Sequence, residues 1–558
     1  MHKMKKYILI LILPLFQFAN LQAQVVYEHI SNENIYMFLD EMANEQWVEI
    51  NGAIKPYSRS FIAEQLIKAR SYRSEMSDRQ SKELDFYMQG FTLEIDDHIK
   101  LNPKINILKN TKGFGVDINP LGGFYQDKLF RFQAQPVYGY SMFKNDNGTE
   151  SYSYGGLQGY AYIGEHVGIY ASLRDNHYSQ AFNKLDYLNP IPGGNFKGSE
   201  KGGNDWSEMR GGVTFSWNWG EIGIIKDHFE WGNNNHGANI FSAKQPSFAQ
   251  LTLKLKPAKW LEFNYVHGWL ISEVVDSSRS YWDGSTNDPR FRAVFRPKWL
   301  TANMFTIIPV KGLNVSIGNS IVYSDYDHPG FWIPIFVYKP VDHTYNATDS
   351  YGQAGQNSQL FTDVSIRLIK HLHLYGSLFS DEIKFTRIGV DSVHNFWSWK
   401  GGFQLSNFLV KNYSFTFEYT KTLPGTFQHP ISTTTFASNK YNMGYYLHDN
   451  SDEIYFSLTV KPLRGLHLKA EAFIARHGPD EIYETGADIV ATPFMERVAW
   501  KNTTYAFNVK YEIVNNVYIY ANATMSNISG DEELVIKWTP EYYRGEQITL
   551  SGGFNIGF

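Results

Sequence analysis

Cysteine is absent from the 558 residues. That excludes disulfides, thiolate metal sites, cysteine nucleophiles and a lipidated cysteine anchor at once. Charge is scarce: Asp, Glu, Lys and Arg make up 19%, against about 25% in an ordinary soluble domain. Long apolar runs are missing too. Beyond an N-terminal stretch nothing approaches the ~20 residues a membrane helix needs, and the mean hydropathy is -0.36. Neither His-Glu-x-x-His nor Gly-x-Ser-x-Gly occurs. Gly155-Gly156-Leu157-Gln158-Gly159 lies in an alternating run and is no phosphate loop. The adjacent carboxylates Asp381 and Glu382 point to opposite faces of a strand. The sequence therefore names no catalytic residue, metal ligand or cofactor. A net charge of -5 gives no reason to invoke nucleic acid. What abounds is aromatic: 39 Phe, 37 Tyr and 14 Trp, or 16%. Disorder is excluded by that content. An aromatic-rich, mildly polar chain fits a membrane β-barrel, in which only alternate residues face lipid.

Residues 1–23 read as an export signal. Lys3, Lys5 and Lys6 precede the apolar run Tyr7 to Phe18, and Leu21-Gln22-Ala23 resembles a cleavage site. Residues 24–95 carry helical periodicity. Ile35, Phe38, Leu39 and Met42 follow the i, i+3, i+4, i+7 rule. Ser58 or Ser60 caps a second helix bearing Ile62, Leu66 and Ala69, and Ser77 to Gln80 is a capping-box pattern ahead of Leu84, Tyr87 and Met88. These predict a small periplasmic helical bundle, acting as a docking piece or as a stopper over a barrel mouth. Residues 96–128 read as a linker.

From residue 129 to 558 the period is 2. Leu313, Val315, Ile317, Ile321 and Tyr323 alternate with small polar residues, as do Tyr413 to Tyr419, Ile454 to Val460 and Val517 to Met525. Each run approaches the ~9–11 residues that cross a bilayer at a tilt. Eight hairpins are expected, at 152–163/167–174, 211–219/222–229, 248–256/260–271, 300–309/313–323, 359–368/372–381, 399–408/413–421, 452–460/466–475 and 503–513/517–527. A first strand near 129–143 and a last at 547–558 make eighteen. Short turns alternate with long connections, as in an antiparallel outer-membrane barrel spanning residues 129–558. The last strand, ending at Phe558, resembles the signal read by the barrel-assembly machinery. Glu262, Glu418, Lys469, Glu471 and Lys510 fall on the inward parity. A cross-linked, filled lumen is the favoured reading of these charges, and a channel for small solutes or apolar molecules is the alternative.

Several blocks follow in order along the chain: Lys55-Pro56-Tyr57-Ser58-Arg59, Lys226 to Gly232, Trp260 to Tyr265, Lys339-Pro340-Val341-Asp342-His343, Lys400-Gly401-Gly402 and Lys461 to Gly465. Through them the sequence resembles the Wzi-type capsule-assembly family of Gram-negative outer membranes. The resemblance implies an eighteen-stranded barrel with a periplasmic helical bundle, and a role in binding or organising capsular or surface polysaccharide. It carries no ligand residue over. The residues themselves nominate candidates. Tryptophan faces stack on sugar rings, while carboxylates, amides and imidazoles meet hydroxyls. Glu230, Trp231, Asn234 and His236, flanked by glycine, are expected at the outer rim as a glycan site. Trp206, Trp282 and Trp332 lie among Gly, Asn and Asp in other loops. The opposing reading places Trp231 in the aromatic girdle with His228 and His236 bonded to neighbouring loops. Trp299, Trp397 and Trp500, close to strands, read as girdle residues.

Overall fold

The computed structural model describes residues 24–95, 106–111, 113–179, 182, 186–198, 203–284, 289–346, 355–390, 392–480, 483 and 489–557. The export-signal reading of 1–23 and the terminal Phe558 lie outside them. Among the described residues no helix is long and apolar enough to cross a membrane.

Three helices open the chain: α1 (Glu33–Asn44), α2 (Arg59–Arg70) and α3 (Asp78–Gly90). Their starts follow from the caps. Ser58 accepts the Phe61 amide, and Ser77 and Gln80 form the reciprocal box. Phe38, Leu39, Met42, Ile62, Leu66, Leu84 and Tyr87 meet in one buried core.

Eighteen antiparallel strands close the barrel. The first six are β1 (Phe130–Asn145), β2 (Gly148–Ile163), β3 (Val167–Tyr178), β4 (Asn204–Trp217), β5 (Gly220–Asp227) and β6 (Phe248–Ala258). Next come β7 (Leu261–Leu270), β8 (Lys298–Val310), β9 (Leu313–Ser324), β10 (Asn357–Ile366), β11 (Leu372–Glu382) and β12 (Phe396–Ser406). The series ends with β13 (Tyr413–Thr422), β14 (Ser451–Val460), β15 (Leu466–His477), β16 (Trp500–Val514), β17 (Val517–Gly530) and β18 (Gly545–Ile556). Every expected hairpin forms, with ends displaced by a few residues. The turns are tight at one end, where Asn412 and Asn516 hold φ of 68 and 65°. The opposite end carries the long loops. The helical unit sits on the short-turn end: the Asn44 side-chain amide donates to Gln404 and Ser406, and Asn515 donates to the Phe86 carbonyl.

The linker expected at 96–128 is a correction where it is described. Asn106–Thr111, Phe114–Ile118 and Leu121–Gln126 are strands. Leu121–Gln126 pairs with β1 from Gly123↔Ala134 to Gln126↔Arg131, prolonging the edge that β18 occupies higher up. β18 itself pairs with β1 from Leu550↔Lys144 to Ile556↔Tyr138 and so shuts the barrel. Phe554, 38% exposed, stands on the outer face with its ring 5.8 Å from Tyr138. Phe554→Arg at this seam should cost about 2–4 kcal/mol if it lies near the bilayer midplane. Heat-modifiable gel migration should then show a reduced folded fraction, and a parental yield would contradict the closure.

Two irregular segments leave the wall. β5 is only eight residues long. At Asp227 the chain turns inward, while β4 continues to Asn204, and Lys226 Nζ donates to the Met209 carbonyl (2.7 Å) on the strand edge left behind. Residues 325–346, ending in α4 (Tyr338–Asn346), instead fold down over the outside. On the outward parity Ile307 and Ile317 are 43% and 58% exposed, yet Asn303, Asn319, Ile321 and Tyr323 are buried. Asn303 donates to the carbonyls of Pro334 (2.7 Å) and Phe336 (2.8 Å), and Tyr338 N donates to Asn319 Oδ1 (2.9 Å). Irregular backbone on the outer wall thus has its polar groups met by wall amides.

Candidate functional site

The segment 228–247 fills the lumen. Its first residues pair with the helical unit: Ile54 and Lys55 stand opposite Trp231 and Glu230, Gly232 N donates to Ala53 O, and Lys55 Nζ lies 2.8 Å from Glu230. Trp231 is 2% exposed. Its ring packs edge-on against Phe241 (5.3 Å), Phe229 (5.5 Å) and Phe361 (6.0 Å). The expectation that Glu230, Trp231, Asn234 and His236 form a rim site is corrected in its placement. β5 ends early, so the chain turns into the barrel before reaching the rim, and the apolar Phe229, Ile240 and Phe241 carry it there. Glu230 and Asn234 do meet, at 3.1 Å. His236 stands apart from them, stacked on Tyr455 at 4.4 Å with Nδ1 2.8 Å from Glu453.

Wall carboxylates hold the plug. Asp363 accepts the amide N–H (2.8 Å) and the side chain (2.6 Å) of Asn233. Glu418 accepts the amides of Asn235 (2.6 Å) and His236 (2.9 Å), the Tyr375 hydroxyl (2.7 Å) and Lys400 Nζ (3.2 Å). A second inward loop, 423–450, locks against the first. Ser242 N donates to Met443 O (2.8 Å), Phe241 packs on Phe436 (5.2 Å), and Tyr445 and Tyr446 both donate to Glu453. Lys244 has neutral oxygen partners, Asn189 Oδ1 at 2.7 Å, Ile191 O at 2.9 Å and Tyr187 O at 3.3 Å, and burial pushes its ammonium down to about 7. Of the charges read on the inward parity, Lys469 pairs with Glu471 at 2.7 Å, Glu262 with Lys256 at 2.6 Å and Lys510 with Glu33 at 3.8 Å. This is the filled lumen that the inward parity favoured.

Of the remaining tryptophans, Trp206 faces inward, buried against Tyr152, Tyr178 and Phe196. Trp500, read as a girdle residue, is also interior, donating to Thr539 Oγ1 at 3.0 Å. Trp332 belongs to the outer strap, with its ring 4.1 Å from that of His267 and its N–H on Asp327 (2.8 Å). Trp282 alone among the seven candidates is largely free, 65% exposed. It lies in a hairpin in which Tyr281–Trp282 pairs with Phe291–Arg292, with Tyr281 at 59% and Phe291 at 51% exposure. This hairpin joins β7 to β8 at the long-loop end. At the opposite end, beneath the helical unit, a cavity of about 960 Å³ is lined by Asn51, Pro56, Glu221, Lys254, Lys259 and Lys311, among others.

No protein-family model and no curated protein matches the sequence. Among solved structures the chain aligns with Wzi, an outer membrane protein involved in group 1 capsule assembly in Escherichia coli and a carbohydrate-binding β-barrel. Identity is 10% and the TM-score 0.55, over 96% of this chain and 100% of that one. It aligns more loosely with OccAB2 of Acinetobacter baumannii, at 8% identity and a TM-score of 0.41 over 76% and 97% of the two chains. OccK3 of Pseudomonas aeruginosa gives 9% and 0.40 over 76% and 95%. The fold is that of Wzi, an outer-membrane β-barrel, along nearly the whole chain.

Proposed function

We infer that this barrel binds or organises surface polysaccharide at its long-loop end during capsule assembly, and that it is neither an enzyme nor an open channel. The hairpin around Trp282 carries the inference. Trp282 and Phe291 share one face of it, ring centroids 5.5 Å apart, and Tyr281 stands on the other with Arg292 and Asp283, themselves 3.3 Å apart, a combination of flat apolar faces and charged donors and acceptors that suits sugar rings. The filled lumen supports the closed state, and the fold shared with a carbohydrate-binding barrel agrees with the reading. In this reading the strands sit in outer-membrane lipid, the helical unit lies in the periplasm, and the C-terminal strand is handed to the barrel-assembly machinery.

A glycan array on the refolded barrel tests the inference and identifies the sugar. Trp282→Ala should leave folding untouched, because an exposed loop residue contributes within about 0.5 kcal/mol. Binding of the recognised glycan should weaken on the order of tenfold, as the loss of ~1.4 kcal/mol of contact would produce. Unchanged binding in the folded variant would remove the hairpin from the site. In a planar bilayer the parent should stay closed; large, steady currents would favour a conduit for small solutes fed through the cavity under the helices.

A further inference from the structure

The geometry points to a divalent transition-metal site inside the barrel, formed by His29, Asp227 and His228. The first described residues climb the lumen wall from the short-turn end. The Gln24 side chain donates to Gly164 O, the Thr214 hydroxyl donates to Val25 O, and the Tyr27 hydroxyl donates to Glu221. The run lies so close to β3 that a Cβ on Gly168 would collide with the Val25 carbonyl oxygen. This brings His29 to the point where the plug leaves the wall. Its Nε2 lies 3.3 Å from His228 Nδ1. Two nitrogens bound at 2.0–2.1 Å to one tetrahedral zinc stand about 3.3–3.4 Å apart, so the pair already has the spacing of a coordination edge. The Asp227 carboxylate supplies a third donor, and the three ligand atoms lie within 4.8 Å of one another.

Adjacent residues on a strand diverge. Asp227 and His228 converge because β5 ends between them and the backbone turns inward. Two of the three ligands are held from behind. Asp227 accepts the Tyr170 hydroxyl (2.9 Å) and the His228 amide (2.8 Å), and His29 Nδ1 is taken up by Ser31, whose hydroxyl lies 2.5 Å and whose amide N–H lies 3.2 Å away, so Nε2 is the nitrogen that faces the site. Arg210 shares Asp227 at 3.4 Å. With one shared carboxylate and two imidazoles, the donor set suits zinc, cobalt or nickel, whereas calcium and magnesium require more oxygens. A bound ion would staple the start of the described chain to the root of the plug, joining residues 199 apart in sequence.

The test uses the full-length barrel in detergent, stripped with a chelator and titrated with cobalt(II). One ion per chain, with the visible absorption of low-coordinate cobalt, is expected, and zinc should displace it. Zinc should also raise the unfolding temperature of the parent and leave that of His29→Ala unchanged, with cobalt affinity falling at least tenfold in this variant. X-ray absorption on the zinc-loaded parent reads the nitrogen ligands directly and needs no variant to fold. A parent that binds no cobalt, or a folded His29→Ala that binds it as tightly, would overturn the site.

Discussion

Glu418→Leu is expected to release the plug and convert a closed barrel into a conducting one. The carboxylate is 1% exposed and accepts from two plug amides, a wall tyrosine and Lys400. Leucine removes all four bonds. The Lys400 ammonium, itself 0% exposed, keeps the His236 carbonyl at 3.3 Å and the Tyr445 ring at 5.4 Å but loses its bonded carboxylate. Stranding one partner of a buried ion pair costs about 3–5 kcal/mol, and each buried amide left without an acceptor adds roughly 1–3 kcal/mol. The barrel ladder is untouched, because β13 keeps its register with β12 and β14. The loss therefore falls on the plug. Folded, heat-modifiable protein should form, with steady single-channel currents that the parent lacks. Glu418→Gln, which retains one acceptor oxygen, should lie between the two. A leucine variant as closed and as heat-stable as the parent would show that the plug is held elsewhere.

The wall was legible because lipid on one side and a polar lumen on the other impose a strict alternation, visible in runs such as Leu313 to Tyr323. The helix starts were legible because Ser58 and Ser77 carry caps with a local mechanism. The strands within 106–126 were missed because they are only five or six residues long and broken by Pro120 and paired glycines, too short for a transmembrane template. The plug was misplaced for a different reason. Periodicity tells where a strand ends and is silent on which way the chain then turns. A signal was present all the same, since Phe229, Ile240 and Phe241 are too apolar for a solvated rim loop. The outer strap left a similar trace: Asn303 and Asn319, cross-strand partners, and Thr301 beside them interrupt a mostly apolar outward parity. The His29–His228 pair left none, because only the fold brings the two together.

Docking of the helical unit should fail most sharply at Glu41. This α1 carboxylate accepts Arg79 Nη1 (2.9 Å), a second Arg79 bond through Nη2, and Gln80 Nε2 (2.9 Å), all from α3. It also accepts Asn407 Nδ2 (2.9 Å) and Lys461 Nζ (3.1 Å) from two barrel turns. One buried group thus joins two helices to the wall. Burial pushes its pKa up, but Lys461 and Arg79 outweigh that and hold it well below the usual carboxylate range. A folded value below the unfolded one gives stability that is fully present above the ordinary value of about 4.3 and is lost only as pH falls through the depressed one. Docking through Glu41 should therefore survive mild acid that protonates an exposed glutamate. Glu41→Gln removes the charge at every pH and leaves Lys461 and Arg79 facing a neutral amide, at a cost on the order of 3–5 kcal/mol. Hydrogen exchange should then show α1 and α3 opening at neutral pH with the barrel strands still protected. Parental protection of both helices in the variant, or parental helices that open near pH 4, would show that the ion pair does not fasten them.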